Sequence, residues 1–330
     1  MDALKKLTVI TTMVAAFGLT ACQEQPKQTD NTDATSTPNV ETIRIGFQKS
    51  SINLLVTRQE QLLEQHFPQA KVEWKEFPAG PQMLEALAVG AVDYGYVGNT
   101  PPIFAQAAGK SLNYVGYEAY SGQSIALVTQ NNSGIEKIEQ LKGKRIGVQK
   151  GSNAHEFLAK VLQKAGLTWS DIQPIWLPPA DARAAFDKQS IDAWAIWDPF
   201  LSSAEQDAKA RTLINGEAFP QSYTYFVANP KFIQQYPQAT QKFIESLNQA
   251  DQWIVSHPNE TQALYSQYTG LPAHISKTVL ERRLRPSVTA VLTPDVVKSQ
   301  QAIADLFYQE ALIPQKIDVQ LNVWTPATHN

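Results

Sequence analysis

The segment Arg44–Ser51 (RIGFQKSS) returns about a hundred residues later as Arg145–Ser152 (RIGVQKGS), differing only at Phe47/Val148 and Ser50/Gly151. In each copy a short apolar strand runs into small polar residues and then into a helical pattern, so a strand feeds a helix N-terminus. The unpaired N–H groups of a first helical turn and the positive end of the helix dipole favour an anion. Two such ends facing each other would grip a small anion from both sides. The candidates are Ser50 and Ser51 in the first copy and Ser152, Asn153 and Ala154 in the second. N-capping of the following helix is the competing role for the serines. Gln48 and Gln149 extend from the strand ends and would cross the cleft, solvation being their alternative, and Lys49 and Lys150 would supply positive potential from a wet rim.

A second echo follows at nearly the same offset: Val89–Val97 (VGAVDYGYV) resembles Lys188–Ile196 (KQSIDAWAI), and each leads into a Pro-containing turn, Gly98-Asn99-Thr100-Pro101-Pro102 or Trp197-Asp198-Pro199. Two features repeated in the same order predict two similar α/β lobes. Gly98, Asn99 and Thr100 would add donors from the first lobe. Strand alternation puts Trp194 and Ile196 on one face and Trp197 on the other, so one indole belongs to the core and Trp197 is the cleft candidate. Asp198 reads first as a helix cap and second as a contact to a ligand ammonium or amide.

Other chemistries find little support. His155 lies just inside the second anion-favouring helix, but no His-rich spacing accompanies it and the chain's single cysteine is Cys22. No Gly-rich phosphate loop with its lysine, no nucleophile elbow and no paired metal-ligand motif is present, so no catalytic residue, metal or cofactor is expected. Arg183 reads as the partner of a surface carboxylate more readily than as an anion clamp. Glu281-Arg282-Arg283-Leu284-Arg285 reads as a solvated helix face rather than a docking patch.

The elements that must position these residues begin well inside the chain. Lys5-Lys6, the mostly apolar Leu7–Leu19 and Leu19-Thr20-Ala21-Cys22 form an export signal over residues 1–21, too short to span a bilayer, ending in a bacterial lipoprotein cleavage pattern. Cys22 would then be acylated, which explains both its position and its solitude, an ordinary signal with an incidental Cys being the alternative. Residues 22–40 are polar and read as a flexible tether. Removing Asp2, Lys5 and Lys6 from 28 basic and 31 acidic residues leaves a formal −4, which does not suit a nucleic-acid binder.

From Glu41 onward strand and helix patterns alternate. Strands are expected over 43–47, 72–77, 92–97, 113–117, 124–129, 145–148, 175–177, 191–196 and 223–228. Helices are expected over 54–66, 82–89, 102–109, 153–166 and 182–188, and the C-terminal part should be helical over 238–253, 258–268, 274–281 and 294–310. The turn cluster Asn131-Asn132-Ser133-Gly134 marks the entry to the second lobe. The expected division is lobe 1 over 41–124 and again over 223–330, with lobe 2 over 125–222. Two crossings make a hinge, and loops at the strand C-termini gather along the cleft.

Five stretches carry a more specific likeness: Glu76–Gln82, Thr100–Gly109, Gln149–His155, Leu177–Phe186 and Ala193–Phe200. In these the chain resembles the periplasmic aliphatic sulfonate-binding proteins of ABC importers, relatives of the nitrate- and taurine-binding proteins. The resemblance covers nearly all of the folded chain. It implies a two-lobed α/β periplasmic binding protein, type II-like, each lobe a mainly parallel sheet flanked by helices, with two crossover strands as hinge. It further implies a monomeric, non-enzymatic receptor that hands an organic sulfonate to ABC permease subunits and is held by its N-terminal lipid on the periplasmic side of a bacterial membrane. A departure is Asn99, where the family usually has Asp after Gly98. A sulfonate stays ionised at physiological pH, so its site needs donors and no base, a need that Ser50, Ser51, Ser152, Asn153 and Ala154 meet. The fold also suits receptors for taurine, nitrate, bicarbonate or a pyrimidine vitamin precursor, and a pyrimidine-forming enzyme is the reading from another class.

Replacing Cys22 with Ser should leave the fold intact and release the protein from membranes, because residues 23–39 hold nothing that anchors alone. Fractionation checks this: Cys22→Ser protein that still sediments with membranes after a high-salt wash contradicts the lipid anchor.

Overall fold

Two five-stranded sheets resolve the alternation of apolar and helical segments. The computed structural model describes residues 39–326 apart from Leu284 and Arg285; the signal segment, Cys22 and nearly all of the tether lie outside the described residues. In chain order the first sheet's unit opens with β1 (Thr42–Phe47), α1 (Ile52–Gln59), α2 (Leu62–His66), β2 (Lys71–Glu76), α3 (Gly80–Ala88), β3 (Tyr94–Val97), α4 (Thr100–Ala107) and β4 (Asn113–Tyr120). The second unit holds β5 (Ile125–Thr129), β6 (Arg145–Val148), α5 (Asn153–Lys164), β7 (Gln173–Trp176), α6 (Pro179–Asp187), β8 (Ala193–Trp197), α7 (Phe200–Gln206) and β9 (Arg211–Asn215). The chain then returns through β10 (Ser222–Ala228) to α8 (Pro230–Gln235), α9 (Ala239–Ser256), α10 (Pro258–Thr269), α11 (Ala273–Arg282) and α12 (Pro294–Gln309).

The strand orders are β2-β1-β3-β10-β4 and β7-β6-β8-β5-β9. In each sheet four strands run one way and one runs against them, β10 in the first and β5 in the second. The reversed strand is in both cases the one by which the chain has just crossed over. Each lobe is therefore a mainly parallel sheet flanked by helices.

The echoed sequences occupy equivalent places and bind each other. Asp93 Oδ2 accepts from the Arg44 backbone N–H at 2.7 Å, and Asp192 Oδ2 accepts from that of Arg145 at 2.7 Å. The return bonds, Asp93 N–H to the Arg44 carbonyl and Asp192 N–H to that of Arg145, measure 2.8 and 2.7 Å. Thus the repeated arginine at a strand start and the repeated aspartate just before another strand fix the β1/β3 and β6/β8 pairings.

The core divides by lobe. Trp194, fully buried, packs on Phe186 and joins Phe157, Leu158 and Ile196 beneath the second sheet. The first sheet is covered on both faces, by α3, α4 and α12 on one side (Met83, Ile103, Phe307) and by α1, α8 and α9 on the other (Leu54, Phe232, Phe243). Tyr94 stacks on Phe243 at 4.4 Å between centroids.

Some expectations required correction. The helix expected over 54–66 is two helices, because Gln61 adopts a left-handed backbone (φ 51°) and restarts the chain as α2; both pieces pack on α9. Three elements were not read from the sequence: α7 and α8 are under two turns long, and β9 is a five-residue edge strand only partly buried.

The two crossings lie side by side. A Cβ on Gly122 would come within 2.5 Å of the Glu217 backbone nitrogen, and one on Gly216 within 2.9 Å of the Gly122 carbonyl oxygen. Gln123 Nε2 also donates to Glu217 Oε1 at 2.8 Å. Gly122→Ala should force the crossings apart at a cost of about 1–3 kcal/mol, lowering the melting temperature by several degrees. A calorimetric melting temperature within a degree of the parent's would show that the crossings are not packed this closely.

Candidate functional site

Because four strands in each sheet share a direction, the loops at their C-terminal ends meet between the lobes, where open α/β sheets hold ligands. A cavity of about 300 Å³ lies there. The ends of β1 and β2 line it with Gln48, Lys49, Ser50, Glu76, Phe77 and Pro78; those of β7 and β8 line it with Pro178, Pro179, Ala180, Trp197, Pro199 and Phe200. Its walls are mostly apolar and aromatic. A second, polar chamber of about 50 Å³ shares Ser50 with it and adds Tyr120, Ser121, Ser124 and Thr224 together with three charged side chains, Glu118, Asp198 and Arg283.

The expected residues fall into two groups. Gln48, Ser50, Trp197 and Asp198 line the cavity or the chamber. Gln48 does not cross the cleft: its Nε2 donates to the Tyr96 carbonyl at 2.9 Å, which ties β1 to β3. Trp197 walls the cavity with one side while it is itself buried in the same core cluster as Trp194.

The others form the contact between lobes beside the cavity. Gly98 sits so close to Asn153 that a Cβ would approach the Asn153 Cβ to 2.9 Å, and Gly151, at φ +74°, faces Phe104 and Pro81. Ser51 and Ser152 make no side-chain cap bond to the helices they precede. Ser51 Oγ accepts the Gln48 N–H at 3.2 Å and Ser152 Oγ donates to the Gln149 carbonyl at 2.8 Å, so each closes its own turn. Asn99 Nδ2 donates to Ser222 Oγ at 3.1 Å and its Oδ1 accepts from Thr100 Oγ1 at 2.9 Å, which leaves both side chains engaged within lobe 1. Ala154 is buried behind this contact.

Among the charged candidates, Arg183 Nε meets both Asp187 oxygens at 2.9 Å, and its Nη1 donates to Ser203. Lys150 lies over the Trp176 ring at 5.8 Å. In the Glu281–Arg285 run, Glu281 is exposed as expected, Leu284 and Arg285 lie outside the described residues, and Arg282 and Arg283 are not solvated. Arg282 holds Glu205 Oε2 at 2.6 Å and lies 3.5 Å from Asp198 Oδ1, joining α11 to α7 across the lobes, and Arg283 holds Asp251 Oδ1 at 2.7 Å. A run of charges gives no hint of this, because the partners come from distant segments.

Asp198 Oδ1 accepts from the Ser202 N–H at 2.9 Å and from Ser202 Oγ at 2.6 Å, a bond into the first turns of α7. Burial pushes its carboxyl above the usual carboxylate range, against the pull of Arg282 and Ser202. Burial raises Glu118 likewise, against Arg283 and Thr289; Glu118 Oε1 accepts from Asn53 Nδ2 and from Thr289 Oγ1.

His155 is buried at the lobe contact, its ring within 6 Å of Phe104 and Phe307 on one side and of Trp169 and Trp176 on the other. Nδ1 accepts the Gly151 N–H at 3.2 Å. Burial, assisted by Lys150, lowers its pKa to about 3, so the ring is neutral at physiological pH. Among the described residues no group of three His, Cys, Asp or Glu side chains is placed to hold a metal.

Comparison with known proteins places this geometry. The NMT1/THI5-like family model matches residues 71–261. A protein of Escherichia coli (strain K12) named for binding aliphatic sulfonates is 41% identical over 286 residues, 87% of this chain and 89% of its own. The chain belongs to the NMT1/THI5-like family, among the periplasmic sulfonate-binding proteins. The alkanesulfonate-binding protein SsuA from Xanthomonas axonopodis pv. citri, solved bound to MOPS, superposes with a TM-score of 0.83 at 42% identity, covering 86% of this chain and 98% of that one. The periplasmic aliphatic sulphonate binding protein SsuA of Escherichia coli gives 0.79 at 41% identity, covering 86% and 97%. These relatives are binding proteins. The likeness in this family extends across both lobes and both crossings.

His155 allows a test of the lobe contact. A base depressed from 6.5 to about 3 is neutral in the fold, while the unfolded chain takes up its proton below about pH 6.5. Its contribution to stability is therefore complete above that pH and is lost on acidification towards 3, at up to about 1.4 kcal/mol per pH unit. Between pH 6.5 and 4.5 the parent should lose about 2 kcal/mol more than His155→Gln in urea unfolding. Equal losses would mean that the imidazole is not sealed from water.

Proposed function

We propose that the protein is an extracytoplasmic solute receptor that captures an organic sulfonate between its lobes and delivers it to an ABC-type permease. The observation that carries the reading is the pair of spaces in the cleft that share Ser50 in their walls: a polar chamber the size of an anionic head group and an apolar cavity the size of its tail. Ser50 contacts the sulfonate, Asp198 stands beside the head group as an acceptor for a ligand ammonium or amide, and Trp197 covers the tail. The paired turns at Ser51 and Ser152, with Gly98, Asn99, Thr100, Asn153 and Ala154, set how closely the lobes meet. Gln48 orders the β1 end behind Ser50. Binding without catalysis suits a site whose nearby histidine is neutral and enclosed by aromatic rings.

Sequence identity above 40% over both lobes supports the same ligand class. The expected Cys22 anchor and tether place the receptor on the periplasmic side of the membrane, acting as a monomer; among the described residues no helix is long and apolar enough to cross it. Ligand closes the lobes only as far as it prefers the closed state.

Melting the purified protein with a ligand panel tests the reading. At a hundredfold excess over Kd a bound sulfonate adds about 2.7 kcal/mol, a rise of about 5–10 °C. Tryptophan emission should change on binding, and Trp197→Ala should remove most of that change. Stabilisation by nitrate, bicarbonate or a pyrimidine, with none by any sulfonate, would overturn the assignment.

A further inference from the structure

The polar chamber contains two charged groups that the protein leaves half-used. Arg283 Nη1 is bonded to Asp251 Oδ1 at 2.7 Å, and the other Asp251 oxygen accepts the Ser287 N–H at 2.8 Å, but Arg283 Nη2 is buried without a partner. Asp198 Oδ1 is occupied by Ser202, yet its Oδ2 is buried without a partner on a residue only 4% exposed. Arg282 does not fill this gap, being engaged by Glu205 and by Ser202 Oγ. The third charged residue, Glu118, has Oε1 held by Asn53 and Thr289. Tyr120 directs its hydroxyl to the Ser124 carbonyl at 2.8 Å. Arg283 and Asp198 both line one space of about 50 Å³, room for about three to five water-sized groups.

A buried donor and a buried charged acceptor without partners are unfavourable, and a ligand that supplies both partners relieves both. A bare anion on Arg283 would face the Asp198 oxygen, and a bare cation on Asp198 would face the guanidinium. We propose that Arg283 and Asp198 form a two-point receptor for the ligand's head, so that the preferred ligand is a sulfonate bearing an ammonium or hydroxyl one or two carbons from sulfur. The sulfonate oxygen accepts from Arg283 Nη2 and the donor is received by Asp198 Oδ2. Any longer tail leaves past Ser50 and Trp197 into the apolar cavity. This rests on the reading of the cleft as a sulfonate site and narrows the class it takes.

Calorimetry with ethanesulfonate, 2-hydroxyethanesulfonate and 2-aminoethanesulfonate, nearly equal in size, tests it. The two donor-bearing compounds should bind at least tenfold tighter than ethanesulfonate. Asp198→Asn should abolish the preference for the amine while ethanesulfonate still binds. Arg283→Gln should weaken all three at least tenfold, and Asp251→Asn, which breaks the same ion pair but keeps the guanidinium, should weaken them far less at a comparable loss of melting temperature. Should Arg283→Gln not fold, Arg283→Lys, which keeps the charge and loses the second nitrogen, should show the same weakening. Equal binding of all three compounds, with ratios unchanged in Asp198→Asn, overturns the two-point receptor and leaves the sulfonate assignment standing. Equal weakening by Asp251→Asn and Arg283→Gln also overturns it, by making Arg283 only structural. No binding of any sulfonate overturns the assignment and the receptor together.

Discussion

Strand direction is the constraint on which the rest of the molecule depends. With four of five strands in each sheet pointing the same way, every turn that leaves one of those four for a helix emerges on the side facing the other lobe. Polar ends of β1, β3, β6 and β8 thus collect in one cleft although they are spread over some 150 residues. The reversed strands β5 and β10 make this possible, because each carries the chain across and returns it to the interior of a sheet rather than its edge.

The charged groups at the junction follow from that arrangement. α11 belongs to the first lobe, yet Arg282 reaches Glu205 and Asp198 of the second, so one helix couples the lobes through ion pairs shielded from water. Such pairs contribute little net stability once desolvation is counted, but removing one partner leaves a buried charge behind. Their value lies in geometry: they hold Asp198 beside the chamber with one oxygen free. The aromatic enclosure of His155 provides the second, uncharged contact between lobes, through Phe104 and Phe307.

Much of this was legible in the sequence, because a repeat is a local signal. Arg44 and Arg145, Asp93 and Asp192, and the two serine turns declare their equivalence by identity and order alone. Strand alternation puts Trp194 and Trp197 on opposite faces of β8, yet both are buried, because helices cover this strand on both sides and only Trp197 also borders the cavity. Less could be read where the answer depended on distant partners. Ser51 and Ser152 have the composition of caps, yet each bonds back to the residue three before it. Asn99 looked like a free donor at a helix start but is engaged by Ser222, more than a hundred residues away. Arg283 was hidden in a charge run, since Asp251 and the chamber lie on other elements. Short pieces such as α8 and β9 lack the length that makes a periodic pattern distinct.

The central claim is that a sulfonate lies between the lobes with its head in the chamber and its tail beside Trp197. A crystal structure with 2-bromoethanesulfonate, located by the anomalous scattering of bromine, tests it most directly. The account predicts one bromine peak between Ser50 and Trp197, with sulfonate oxygens directed at Arg283. A bromine site on the outer surface, or beside Asn153 and Gly216 on the crossing side, would contradict it.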